Sequence, residues 1–333
     1  MPKRGCNEKT LQGRIKPCNP ISLQSPFTLF KEQSLMGKLY HFLRKDNVAA
    51  VIFVLPFIIG FVLFLVVPMI MSFYYSFTEF NILRPPTFVG LANYRRMLND
   101  TMLRQSMWAT FYFVFMSVPL RLIFALAVAM LLFKSTKMMG IYRAMYYLPS
   151  MLGSSVAVAI LWRRMFFTTG TVNSILDVFG MNRNFPWLGD TRTAIWTLIL
   201  LAVWQFGSSM LIFLAGLKQI PGTYYEAADI DGASKVRQFF KITLPLITPT
   251  IFFNLIMQTI NGFLAFNQAF LITQGGPLNT TNFFALYMYN HMFAWGNAGY
   301  ASALAWFMLL VLSIIAIVLF ATKRFWVYEG GFS

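Results

Sequence analysis

The sequence predicts an all-α membrane protein with six transmembrane helices, and three observations carry that expectation. Hydrophobic residues make up 57% of the 333-residue chain and charged residues 11%. Soluble domains run at about 25% charged, so there is too little polar surface here to cover so much apolar side chain. Six apolar runs reach the roughly 20 residues that carry a helix across a hydrocarbon core. No run alternates with period two, the mark of a membrane-barrel strand. Backbone polar groups cannot stay unpaired in lipid, so each run is expected to be a helix.

The runs are Val48–Phe73, Gln105–Phe133, Tyr142–Met165, Ala194–Leu217, Leu246–Ile272 and Tyr300–Thr322. Residues 1–46 precede them as a basic cytoplasmic extension. Within it, Pro26–Arg44 mixes Phe27, Leu35 and Phe42 with Lys31 and Lys38, as an interfacial amphipathic helix or a tail brushing lipid would. Residues 47–328 form the membrane domain, including a loop at 218–249, and 329–333 a short cytoplasmic tail. Pro56 and Pro68 should kink the first span. The segment Glu79–Arg104 reads as a loop and a small helix, and Phe166–Arg192 as a loop with a short helix. Gly275-Gly276-Pro277 marks a sharp turn. No signal peptide is apparent, because the first apolar run is too long for a cleaved segment.

Lys and Arg set the orientation. With the N-terminus inside, cytoplasmic segments hold 18 of them, outside segments 8, and Arg121 lies within a span. The bias places both termini on the cytoplasmic side. Much of it comes from the N-terminal tail. The net charge of +16 then reflects topology and contact with anionic headgroups and implies no nucleic-acid partner. Cys6 and Cys18 fall in the cytoplasmic tail, where a disulfide is not expected, and with no histidine near them they make no metal site.

Missing chemistry narrows the function. None of the eleven acidic residues lies deep in a span, whereas proton-coupled carriers need titratable groups at membrane depth. Sodium coupling through backbone carbonyls stays open, so an ion-coupled secondary carrier is the alternative. No phosphate-binding Gly-x-x-x-x-Gly-Lys-Ser/Thr loop is present, and no Ser-His-Asp or Cys-His set sits at catalytic spacing. The chain is not expected to be an enzyme or to hydrolyse ATP alone.

The loop Thr223–Pro249 carries the strongest positive signal. Thr223 and Glu226 have capping-box spacing. Ala227 and Ala228 keep one face small, and Gly232 can end a first short helix. Pro245 and Pro249 redirect the chain into the fifth span. A charged, small-faced elbow of this kind suits docking on a protein. Its residues closely resemble the Glu-Ala-Ala loop of bacterial ABC importer permeases, in Glu226-Ala227-Ala228, Asp231-Gly232-Ala233 and Ile242-Thr243-Leu244-Pro245. Phe88-Val-Gly-Leu-Ala-Asn-Tyr94, Tyr146-Tyr147-Leu148-Pro149, Thr273-Gln-Gly-Gly-Pro277 and Gly299-Tyr-Ala-Ser-Ala303 extend the likeness to the carbohydrate-uptake branch, over roughly residues 48–328. The resemblance implies a type I ABC importer permease fold. It implies an ATPase-coupling role for Glu226, Ala227, Ala228, Asp231, Gly232 and Pro245. The implied partners are a second, different permease, an ATPase dimer that binds ATP and Mg, and an extracytoplasmic solute-binding protein. The implied mechanism is alternating access.

Candidate substrate contacts lie in the spans. Asn254, Gln258 and Asn261 share one face of the fifth span, and Gln268 continues the row two turns further. Amides in lipid need partners, either another helix or the hydroxyls of a sugar. Gln205 and Trp204 join them from the fourth span, with Ser208, Ser209 and Phe263 nearby. Arg121 is expected to snorkel or to pair with a carbonyl. Mono-, di- and oligosaccharides, acidic ones such as uronic-acid oligomers included, all fit this pattern.

Overall fold

The computed structural model describes residues 46–328 apart from 82, 134–137, 154 and 181–183, without the side chains of 46–50 and 52. The basic extension, its two cysteines and the tail 329–333 lie outside the described residues.

Two compact units divide the chain at Pro68. The first contains α1 (Asp46–Phe61) and a π-helical turn, Val62–Val66, which follows Pro56 by about a turn and a half. A proline lacks a backbone donor and its ring crowds the carbonyl four residues back; for Pro68 that is Phe64, inside this π turn, so the expected irregularity appears just ahead of Pro68. The helix continues as α2 (Val67–Ser76), and the stretch Phe53–Ser76 is long and apolar enough to cross a membrane.

In the second unit, Met69–Ser333, α2 is followed by an antiparallel hairpin, β1 (Thr78–Asn81) and β2 (Arg84–Phe88), with Thr78 opposite Phe88. A loop is expected there from the sequence, and the hairpin corrects that expectation. Pro85 and Pro86 cannot donate to a ladder, which restricts them to an edge strand, and β2 is exposed along its whole length. Asn93 of the short helix α3 (Ala92–Asn99) holds the hairpin by donating from Nδ2 to the carbonyls of Ser76 and Thr78, both at 2.9 Å.

Helix α4 (Thr101–Leu131) is the axis of this unit. It packs against α8 (Ala194–Trp204), α9 (Gly207–Lys218), α13 (Thr248–Phe263) and α14 (Phe284–Tyr289). Lipid tails are as apolar as leucine, so close packing rather than hydrophobic burial holds such helices together. Ala125 and Ala129 of α4 are fully buried, and at Gly216 an added Cβ would sit 2.4 Å from Thr250 Oγ1.

The continuous helices are α4 and α15 (Ala298–Trp326), and the runs between them are interrupted. Tyr142–Met165 is two helices, α5 (Met139–Leu152) and α6 (Val156–Met165), parted after Pro149 at Gly153. The short helix α7 (Thr171–Val178) follows. Between α8 and α9 the chain bends by 41° at Gln205–Phe206. In the loop come α10 (Gly222–Ile230), α11 (Lys235–Gln238), a π turn Phe239–Thr243 and α12 (Leu244–Leu246). The axis then turns by 63° into α13. Leu246–Ile272 is therefore not one helix. Its second break, at residues 264–266, follows Gly262 in the last turn of α13, where low helix propensity coincides with close contact to Val114.

Candidate functional site

A cavity of about 390 Å³ opens beside α4. Ser117 and Arg121, one turn apart on α4, form one wall. Gln205 closes it from the end of α8, and Gln258 and Asn261 enter from α13. Asn267 and Gln268 line it from beyond the break at 264–266. Gln268 does not continue the α13 row as a single helix would require; the break itself swings it back to the same cavity. Phe113 and Phe266 add apolar walls.

Other predicted contacts lie elsewhere. Asn254 is fully buried and does not line the cavity; its Nδ2 donates to Thr250 O at 3.3 Å. Trp204 also stays out of the lining and packs on Trp162 with ring centroids 5.8 Å apart. Phe263 is buried against Phe111. Gln205 is a brace as well as a wall. Its Nε2 donates to Gly153 O at 2.9 Å, and its own carbonyl accepts from Ser150 Oγ at 2.8 Å and from Arg121 Nη2 at 2.5 Å. The same arginine nitrogen lies 3.4 Å from Ser208 Oγ. Broken helices leave carbonyls without helical partners, and in lipid each needs a donor; here three side chains supply them. Arg121 thus pairs with a carbonyl, as its position in the sequence suggests.

The elbow differs in detail from the expected capping box. Pro221 is the N-cap of α10 and no side chain caps the helix. Thr223 lies inside the helix, two residues past the N-cap. Glu226 and Ala227 are exposed and Ala228 half-buried on α10, followed by exposed Asp231. Gly232 takes φ +71°. Its N–H reaches Asp229 O at 3.1 Å and the Ala233 N–H reaches Ala228 O at 2.9 Å, the paired bonds of a left-handed helix C-terminus. Ser234 caps α11. Pro245 lies in the first turn of α12, before the 63° turn.

Asp229 and Gln238 are residues the sequence reading missed. Asp229 accepts from Lys235 Nζ at 2.7 Å and from Gln238 Nε2 at 2.5 Å, and Gln238 also donates to Ala233 O. Hydrogen bonds from Lys235, then Gln238, hold the Asp229 carboxyl below the usual range. The buried Gln238 locks α10 to α11. Adjacent to this clasp, Ile230 is 87% exposed and Val236 69%, an apolar tip on a charged elbow.

A second polar cluster was also missed. Asp100 caps α4 by accepting from the Leu103 N–H at 3.0 Å, and it takes the hydroxyls of Tyr287 and Tyr300 at 2.5 and 2.6 Å. Burial pushes its carboxyl up, but these hydrogen bonds outweigh that and leave it lowered. Burial and then Asp100 raise the Tyr287 hydroxyl. His291 is buried among the rings of Tyr287, Trp295 and Tyr300, with neither nitrogen hydrogen-bonded. Burial, with Arg96 adding to it, lowers it to about 4. An aspartate ahead of a helix is a legible cap signal; its two tyrosines, nearly 200 residues away, are not.

Comparison with known proteins follows the same outline. The pattern of the family described as binding-protein-dependent transport system inner membrane component matches residues 46–326. A probable ABC transporter permease, YesP of Bacillus subtilis, is 49% identical over 86% of this chain and 94% of its own length. The sulfoquinovosyl glycerol transport system permease SmoG of Agrobacterium fabrum is 34% identical over 78% of this chain and 85% of its own. In fold, the chain resembles a subunit of a bacterial ABC transporter involved in alginate import, with TM-score 0.74 and 21% identity over 86% of this chain and 98% of that one.

Proposed function

Since the chain belongs to the family of binding-protein-dependent transport system inner membrane components and is a multi-pass membrane permease, we propose that it carries a carbohydrate across the inner membrane by alternating access, driven by an ATPase on a separate chain. The observation that carries this reading is the cavity beside α4, where Gln258, Asn261, Asn267 and Gln268 converge from both sides of a broken helix with Phe113 and Phe266 as apolar walls. Amides match sugar hydroxyls and aromatic walls match the C–H faces of a sugar ring. YesP is named a probable ABC transporter permease and SmoG the permease of a sulfoquinovosyl glycerol transport system, which supports this reading. A lining with several amides suits a solute with many hydroxyls, such as an oligosaccharide.

Energy enters at the elbow. The exposed Glu226, Ala227, Ile230 and Val236 face a groove of the ATPase, and the clasp Asp229–Gln238 keeps α10 and α11 in one rigid piece. ATP and Mg bind the partner chain. When the ATPase dimer closes, the elbow moves as a body and the broken helices α8–α9 and α12–α13 tilt about their breaks. A second permease completes the pathway, and an extracytoplasmic binding protein delivers the solute. The termini face the cytoplasm.

Transport in proteoliposomes carrying this chain, its partner permease, the ATPase and the binding protein tests the proposal. Uptake should require ATP inside the ATPase compartment and the binding protein outside. Uptake driven by a sodium or proton gradient without the ATPase would replace this reading with an ion-coupled carrier.

A further inference from the structure

We infer that the solute is an anionic saccharide, a uronic acid or another sugar acid, and that Arg121 receives its negative group; this rests on the carbohydrate reading above and names the class within it. Arg121 is the one full charge among the residues lining the cavity, where no Asp or Glu faces it. Its recorded acceptors, Gln205 O and Ser208 Oγ, are both neutral and both met by the same nitrogen, Nη2. Nε is buried without a partner. A guanidinium offers five N–H donors in a planar fork, so the contacts present leave both donor capacity and charge unanswered.

No described carboxylate is available to answer it. Asp100 is held by Tyr287 and Tyr300, and Asp229 by Lys235 and Gln238. Glu79, Asp177, Asp190, Glu226 and Asp231 all stand outside the cavity lining. A cation at membrane depth is expensive when unpaired and marks a ligand path. A carboxylate supplies the missing charge in the bidentate geometry a guanidinium prefers. Around it, the cavity offers what the rest of a sugar acid needs. Gln268 Oε1 is buried and without a donor, and Gln258 and Asn261 line the same cavity. A volume of about 390 Å³ falls within the range of small-molecule sites and admits a sugar unit with its charge. A purely structural Arg121, holding only the carbonyl at the α8 break, would make no distinction between charged and neutral sugars.

That distinction is the test. The complete complex with its binding protein, in proteoliposomes, is offered digalacturonate and the same disaccharide as its methyl ester. The wild type is expected to import the acid and to prefer it over the ester. Arg121→Gln, which also loses the brace on the Gln205 carbonyl, should lower import of both sugars, but acid import by about tenfold more than ester import. Arg121→Lys, which keeps the charge but not the fork, should fall between. The binding protein is common to all arms, so a change in preference with the variant belongs to this chain. Equal losses for acid and ester in Arg121→Gln would assign the residue to structure and overturn the inference. So would a wild type that imports the ester as well as the acid. Import of neutral saccharides alone would overturn the inference and leave the carbohydrate reading standing; import of no saccharide in any arm would overturn the carbohydrate reading itself.

Discussion

Gly232 holds a left-handed backbone angle with nothing within 4 Å of the place a Cβ would occupy, so a substitution there is resisted by conformation and not by contact. The penalty for most L-residues is about 1–2 kcal/mol, and asparagine escapes much of it. Gly232→Asn should therefore keep ATPase co-purification near the wild-type level, whereas Gly232→Pro, whose ring fixes a negative φ, should abolish it. Glu226→Lys should abolish it by charge, with all three variants still in the membrane fraction. Normal co-purification with both the proline and the lysine variant would remove the coupling role. His291 gives a residue-scale prediction of another kind. Its value in the folded protein, about 4, is below the unfolded value of about 6.5. As pH falls from about 6.5 towards 4 the unfolded chain takes up a proton first, so stability is lost across that window. The unfolding temperature in detergent should drop between pH 7 and pH 5, and the drop should be smaller in His291→Gln. Equal drops would show that the ring does not titrate as its burial requires.

At the scale of elements, the break at Gly207 and the seat of the hairpin on Gly299 are the least forgiving places. An added Cβ at Gly207 would lie 2.5 Å from the carbonyl oxygen of Tyr146, and at Gly299 2.1 Å from that of Thr78. Main-chain atoms cannot swing away as a flexible side chain can. Gly207→Ala and Gly299→Ala should each lower the detergent unfolding temperature by several degrees, of the order expected for overpacking by about 1–3 kcal/mol. Gly140→Ala, with open space around it, should leave it unchanged, and similar temperatures for all three would contradict the packing described. These positions also show where the sequence stops being legible. Apolar content located each run, because a helix is the only backbone that satisfies itself in lipid. It did not locate the breaks in Tyr142–Met165, Ala194–Leu217 and Leu246–Ile272. A break is stable only when side chains from other helices satisfy the freed carbonyls, and Arg121 lies 84 residues from the carbonyl it serves. The hairpin at Thr78–Phe88 was missed for a related reason, since Asn93 and the bare surface of Gly299 hold it from outside its own sequence.

For the molecule as a whole, the expectation of a helical, multi-span membrane fold holds apart from the hairpin, and the family matched over residues 46–326 agrees with it. The candidate site was legible in part. Gln258, Asn261 and Gln205 reach the cavity, while Asn254 and Trp204, on adjoining faces, are turned into packing. Period 3.6 places residues on a face but does not say which neighbour that face meets. Orientation yields to a direct measurement. Leu83, 90% exposed at the hairpin turn, and Ile230, 87% exposed on the elbow, mark opposite sides in the proposed topology. With Cys6 and Cys18 changed to serine, Leu83→Cys should react with a membrane-impermeant thiol reagent in intact cells, and Ile230→Cys only after the membrane is opened. The reverse pattern would invert the chain.

The junction at Gln205 bears on how the chain is made. The groups that answer its carbonyl, Arg121 and Ser150, and the carbonyl that takes its amide, Gly153, all precede it in the sequence. A span emerging from the translocon with an interrupted backbone would be poorly tolerated in lipid by itself. Here the earlier helices are already synthesised when the break at Gln205 arrives, so the interrupted segment can leave the translocon into a waiting receptor instead of bare hydrocarbon. Order of synthesis is in this way part of what makes the broken helix permissible.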